Sequence, residues 1–406
     1  MNFSQINIVV ILIFSLTVPN YASQTLSPKN RGAKKKSEDK PLDKPKVKLP
    51  KPKSGPQKHS VFDKKIVSED AKALDILTNY QAFHTETDDY NFNGLVLGYV
   101  TPWNNHGYDV AKIFGNKFTH ISPVWLQVRR RGPLDYDMTG IHDIDKQWVV
   151  HVKNAGRERN TKVLPRVLFD GWTGDDYRAL FRSSDEISAI NEILVKSCKK
   201  YKFDGYVFEV WSQLAGGVPS DILVNFIKSI SKQFATEGLD FILVVPPKRG
   251  ESSVFFEQEF DALYDHVTAF SVMTYDYSSP QMPGPNAPIG WIEDTITSIT
   301  SNITRRPKIL MGLNFYGNDY MASGGGSIIG RDYVKILEKV PDLSLIYNQE
   351  VGEHYFEYRD ENNVKHLVFY PTLYSIFARL DLAYKLNVGL SIWEIGQGLD
   401  YFYDLL

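Results

Sequence analysis

Short runs rich in Val, Ile, Leu and Phe recur along the chain at residues 95–101, 118–124, 162–169, 203–210, 241–245, 267–274, 308–315 and 389–393. Apolar on both faces and bounded by polar residues, such runs read as strands buried on both sides, as in a parallel sheet. Between them lie amphipathic stretches. In residues 185–200, Ile187, Ile190, Leu194 and Cys198 follow helical spacing behind a Ser184 or Asp185 cap, which places Cys198 on a buried helix face. Eight strands alternating with helices over about 345 residues predict a (β/α)8 TIM barrel, with an open doubly wound sheet as the competing arrangement.

One interval breaks the rhythm. Strands seven and eight are separated by about 75 residues that include alternating segments at 354–359 and 365–370, joined by an Asn362-Asn363 turn. This reads as a small α+β insertion, about residues 318–372, beside the barrel mouth. Active groups of such barrels lie at the C-terminal ends of the strands, so the insertion is expected to wall a cleft there.

The N-terminus differs from the body. Residues 6–18 are nearly all apolar but short for a membrane span of about 20 residues, and Ala22-Ser23 follow as a cleavage-type small pair. A signal peptide over residues 1–23 and entry into the secretory pathway, ending outside the cell or in the lysosomal lumen, are expected. The segment's missing positive charge leaves an uncleaved anchor as the alternative, and no later segment is apolar enough to span a bilayer. Residues 24–60 are rich in Lys and Pro and read as a disordered basic linker, a tether or a contact for a polyanionic surface, ahead of a globular body at 61–406.

Charge sharpens this division. The chain's formal net charge of -2 conceals twelve Lys/Arg against three acids in residues 28–58, which leaves 34 basic and 45 acidic residues elsewhere. An acidic body argues against nucleic acid as a partner. The single cysteine, Cys198, excludes an internal disulfide and zinc sites built on paired cysteines. No glycine-rich phosphate loop occurs, and no cofactor is implied. His142, Asp143 and Asp145 superficially resemble metal ligands, but Asp145 before Lys146-Gln147-Trp148 reads as a helix cap, so no metal is expected.

Almost every predicted strand ends in an aromatic or a carboxylate. Strand one runs into Trp103, strand two into Trp125 and strand three into Trp172. Strand four carries Glu209 and Trp211, strand six Met273, Tyr275 and Asp276, strand seven Tyr316 and strand eight Trp393. Aromatic faces stack on the C–H faces of sugar rings while carboxylates and phenols take the hydroxyls, so an oligosaccharide or other glycan is the expected partner. Asn302-Ile303-Thr304 is a glycosylation sequon ahead of strand seven, with Asn302 as the acceptor.

Asp204-Gly205 on strand four, Met273-Thr274-Tyr275-Asp276 on strand six, Phe315-Tyr316-Gly317 on strand seven, Ile392-Trp393-Glu394 and the late insertion together resemble the glycoside hydrolase family 18 chitinases over about residues 95–406. The resemblance implies an Asp-Gly-x-Asp-x-Asp-x-Glu pattern on strand four. There the last Glu protonates the glycosidic oxygen and the preceding Asp orients a substrate N-acetyl group that itself attacks. Counted from Asp204-Gly205, Val207 and Glu209 fall on the second and third Asp positions and Trp211 falls on the acid. Strand parity then predicts that residues 207, 209 and 211 share the inward face, with an indole where the acid belongs.

Saccharide binding without hydrolysis is therefore expected, through Trp103, Trp125, Trp172, Glu209, Trp211, Met273, Tyr275, Asp276, Tyr316 and Trp393. In an active enzyme Tyr275 and Asp276 would hold the acyl group, and Trp393 would be the floor under one sugar. The alternatives are a weak glycosidase with Glu209, Tyr275 and Asp276 as its catalytic candidates, and a protein-interaction module with a vestigial groove. A sorting receptor is a further expected partner.

Overall fold

The computed structural model describes residues 49–250 and 253–406. The expected signal peptide and most of the expected linker lie outside the described residues. Eight parallel strand positions form the barrel: Val96–Val100, His120–Pro123 continuing as Leu126–Gly132, Lys162–Val163 continuing as Arg166–Phe169, Gly205–Phe208, Asp240–Val245, Ala269–Val272, Ile309–Asn314 and Gly389–Trp393. Strand eight pairs with strand one and each strand with the next. The ring closes because the two halves of strand two pair separately with the two halves of strand three. Pro165 interrupts strand three, having no N–H to give a ladder, while its carbonyl still accepts from Val207 N at 3.1 Å.

Two apolar layers result. Leu97, Tyr99, Leu164, Val207, Ile242, Val244 and Leu310 fill the barrel, and a larger cluster lies between barrel and helices. The helix expected over 185–200 spans Ser184–Tyr201, and its cap is Ser183, one residue earlier than expected, whose Oγ accepts from Glu186 N at 3.4 Å. Cys198 lies buried on that helix, and burial pushes its thiol up to about 12.

Between strands seven and eight sits a five-stranded antiparallel sheet with the helix Gly330–Lys339. It contains the expected hairpin, Glu353–Arg359 against Lys365–Phe369. Two features depart from the sequence-based expectation. Leu126–Gly132 turns back as a hairpin with Asp135–Thr139, where the charged run Arg129-Arg130-Arg131 masks a strand whose alternate residues Leu126 and Val128 are buried. Ser54–Gln57, within the expected linker, pairs in parallel with Gln81–His84, so order begins before residue 60. The C-terminal Asp404 holds this region by accepting from Val61 N at 3.1 Å and His84 N at 2.6 Å. Among the described residues no helix is long and apolar enough to cross a membrane.

Candidate functional site

The alternation of a strand decides which side chains enter the barrel, and the inner layer fixes the phase. Tyr99 is two residues beyond inward Leu97, Arg166 two beyond Leu164 and Glu209 two beyond Val207. These three groups therefore meet above the apolar filling. Tyr99 Oη shares a hydrogen bond with Ser271 Oγ at 2.9 Å, and Arg166 Nε lies 3.3 Å from Glu209 Oε2. Burial pushes the Glu209 carboxyl above the usual carboxylate range, while the Arg166 guanidinium pulls it back. The Glu209 side chain is 26% exposed and that of Arg166 12%, so the pair faces the barrel mouth from below.

Strands six and seven contribute a linked set. Tyr275 is buried beside Tyr316, their rings edge to face at 6.4 Å, and burial holds both phenols far above their ordinary range. Tyr316 Oη donates to Asp276 Oδ1. Asp276 adopts φ 59°, a left-handed conformation that Asp tolerates better than most residues. Its N–H donates to Asn286 Oδ1 at 2.9 Å and its carbonyl accepts from Arg249 Nη2 at 3.0 Å. Asn286 is fixed in turn: Glu353 accepts from Asn286 N at 3.0 Å and Ala287 N at 2.6 Å, and Arg379 Nη2 pairs with the same carboxylate at 3.1 Å.

Strand eight supplies Trp393, whose ring leans on Tyr99 at 5.2 Å and packs with Met273 on the inner layer. Beyond it Glu394 is fully buried, accepting from Asn104 Nδ2 at 2.6 Å and Gly396 N at 2.8 Å, and burial pushes its carboxyl up to about 7.

The predicted residues thus separate into two groups. Glu209, Met273, Tyr275, Asp276, Tyr316 and Trp393 gather at the barrel mouth. Trp103 stands apart, 69% exposed beside a surface pocket shared with Asn104, His106, Arg331 and Asp400. Trp125, Trp172 and Trp211 do not line the cleft. Trp125 is buried in the outer layer and donates to Tyr108 Oη at 2.7 Å; Trp172 is buried, stacks on Phe169 at 4.3 Å and donates to Val128 O at 2.8 Å.

Trp211 is corrected for a different reason. The strand ends at Phe208, Val210 takes helical φ and ψ, and Trp211 opens the short helix Trp211–Leu214. Inward parity therefore ends before residue 211. The indole is 1% exposed, packs edge to face on Phe255 at 5.3 Å and donates to Val254 O at 2.9 Å. It does not stand in the acid's place.

Asp145 is a helix cap as expected, accepting from Gln147 N and Trp148 N, each at 2.9 Å. Asn302 is exposed, and its Oδ1 accepts from Thr304 N at 3.0 Å. Sequence reasoning missed Tyr99 and Arg166. The available signal was parity, since a charged Arg two residues after an inward Leu164 has only the barrel interior to enter.

Residues 95–398 match the glycosyl hydrolases family 18. Among curated proteins the chain is similar to the cortical fragment-lytic enzyme of Bacillus subtilis (strain 168), 26% identical over 217 residues that make up 51% of this chain and 49% of that protein. It is also similar to an uncharacterized glycosylase of that organism, 24% identical over 192 residues, 45% of this chain and 55% of the other. The chain thus spans about half the length of these curated relatives. Of solved structures, the spore cortex-lytic enzyme of Bacillus cereus aligns with TM-score 0.65 at 18% identity, covering 77% of this chain and 73% of that one. A chitinase from Chromobacterium violaceum aligns with TM-score 0.63 at 21% identity, covering 77% and 98%. At these identities the structural likeness speaks for the fold.

Proposed function

The chain belongs to glycosyl hydrolase family 18, and from that premise we propose that it is a chitinase-like saccharide-binding protein for chitin oligosaccharides or related N-acetyl sugar glycans, without the family's hydrolytic acid. One observation carries this reading: strand four delivers a single carboxylate, Glu209, to the cleft, and position 211, where the family pattern has its Glu, is a Trp packed away in a short helix. The acyl-holding set of Tyr275, Asp276 and Tyr316, with the Trp393 platform, is the part of the machinery that binding needs. Positioned acid groups typically contribute about 10² to 10⁴ in rate, so their loss leaves binding with negligible turnover.

A second reading has its own support. Burial raises the pKa of Glu209 and its carboxyl is accessible, the condition of a general acid, which would make the protein a weak family 18 glycosidase. Against it, Glu209 falls on the third Asp position of the family pattern, two residues before its Glu, and its carboxylate lies 3.3 Å from the Arg166 guanidinium.

Within the family, residues 98–106 with their Thr101-Pro102-Trp103-Asn104, the Pro283-Gly284-Pro285-Asn286-Ala287-Pro288 stretch and the closing Gly398-Leu399-Asp400-Tyr401-Phe402-Tyr403-Asp404 resemble the branch of chitinase domain-containing protein 1. The apolar segment at residues 6–18 and the exposed Asn302 sequon support a secretory route, with a secreted or lysosomal-lumen destination and a sorting receptor as partner.

The test is calorimetric titration with chitotetraose alongside assay of reducing ends after prolonged incubation. Binding with no new reducing ends is the expected result. Release of reducing ends above a heat-killed control favours the glycosidase, and neither binding nor release leaves the fold as a protein-interaction module.

A further inference from the structure

The Arg166–Glu209 pair has more hydrogen-bonding capacity than the protein uses. Arg166 Nε is buried without a hydrogen-bond partner, and the Glu209 carboxylate lies 3.3 Å from it. Neither side chain makes a hydrogen bond to another described residue. A guanidinium carries five N–H donors and a carboxylate about four acceptor sites, and burying such groups unfilled is costly. Of the neighbouring hydroxyls, Tyr99 is committed to Ser271 and Tyr316 to Asp276, and that of Tyr275 makes no hydrogen bond to either member of the pair. Tyr275, buried far above its ordinary phenol range, does not supply a charge.

We propose that Arg166, acting with Glu209, is a specificity-determining residue of the cleft floor that reads a hydroxyl of a neutral sugar. A hydroxyl suits the pair because its single oxygen donates to Glu209 while accepting from Arg166. The pair is neutral as a unit, so an acidic sugar meets the Glu209 charge and a free amino sugar meets the Arg166 charge. An acetamido group fits less well, since its N–H and C=O point in opposite directions while the two protein groups lie side by side. Recognition of the acyl group is left to the Tyr275, Asp276 and Tyr316 side.

This inference rests on the saccharide-binding reading, and the experiment separates the two. Wild type, Arg166→Met, Arg166→Lys and the double variant Arg166→Met/Glu209→Gln are titrated with chitotetraose and, as the acidic counterpart, tetragalacturonate. Thermal melts accompany each variant. Wild type is expected to bind chitotetraose at least tenfold more tightly than tetragalacturonate. Arg166→Met should lose at least tenfold for chitotetraose, and Arg166→Lys, which keeps the charge without the planar donor fork, should recover part of that. The double variant removes both charges together, so it remains informative if Arg166→Met fails to fold, and it should be at least tenfold weaker than wild type. Folded variants that bind chitotetraose as wild type does overturn the inference alone. Preference for tetragalacturonate overturns its neutral-ligand claim. A wild type that binds no chitotetraose overturns the saccharide reading and this inference with it.

Discussion

The two sides of the cleft floor are built differently. On the side of strands six and seven, a chain of polar contacts links Tyr316 to Asp276, Asp276 to Asn286, Asn286 to Glu353 and Glu353 to Arg379. That chain of bonds runs from the barrel mouth through the insertion to the helix Leu373–Leu386, so the insertion also braces Asp276 and Tyr316, residues proposed to hold an acyl group. On the side of strand four, Glu209 has one loose ionic neighbour, and the next inward position has left the cleft for the apolar layer around Phe255. The contrast separates binding from turnover. On the proposed reading, the braced side and the aromatic platform hold the sugar, and the strand-four side lacks the acid for its hydrolysis.

The largest test of this contrast is Arg379→Ala. Glu353 would be left buried without its cation, a loss that typically costs about 3 to 5 kcal/mol, and Asp276 would lose the anchor behind Asn286. Chemical denaturation should show that destabilisation, and any folded fraction should bind chitotetraose weakly. Unchanged stability and affinity would show that the insertion does not brace the floor.

Glu394 separates burial from ligand design as the cause of raised carboxyls, because it is fully buried and hydrogen-bonded while Glu209 faces the mouth. Unfolded Glu titrates near pH 4.3 and folded Glu394 near 7, so between those values the folded state holds a proton that the unfolded state releases. Stability therefore falls as pH rises across this window, by an amount on the order of 2 to 3 kcal/mol from this residue. Denaturation midpoints at pH 5 and 7.5 should differ less in Glu394→Gln than in wild type. Parallel pH curves for the two proteins would contradict the assignment.

On the strand-four side, Trp211→Phe orphans the Val254 carbonyl and should cost about 1 to 3 kcal/mol of stability while leaving chitotetraose affinity unchanged. Trp211→Glu should create no hydrolysis, since position 211 faces Phe255 and not the cleft. A gain of activity there would restore residue 211 to the acid's place. The smallest effect is on the platform: Trp393→Ala should leave the fold intact and weaken binding by about 1 to 3 kcal/mol, the range typical of stacking on an aromatic ring.

What the sequence discloses follows from how each feature is encoded. The barrel strands are legible to within a few residues because parallel strands buried on both faces must be apolar throughout. The 354–359 and 365–370 hairpin is legible from its alternation, and Asp145 from its place before a helix. Trp211 was misplaced because parity holds only while the strand continues, and what ends this one is packing against Val254 and Phe255, more than 40 residues away in sequence. Trp125 and Trp172 were misplaced because an aromatic at a strand end serves equally well as core or as platform. Arg166 was overlooked because its neighbours Val163, Leu164 and Val167 disguise it as part of an apolar run.

The central claim is that this cleft binds sugar and does not cut it. The most direct measurement is the initial rate of cleavage of a fluorogenic chitobioside by wild type and Glu209→Gln, followed from about pH 4 to pH 8. The account predicts a rate indistinguishable from background in both proteins at every pH, with chitotetraose binding intact in wild type. Robust wild-type cleavage that declines as pH rises through the elevated Glu209 titration and vanishes in Glu209→Gln would contradict it and identify Glu209 as a working acid.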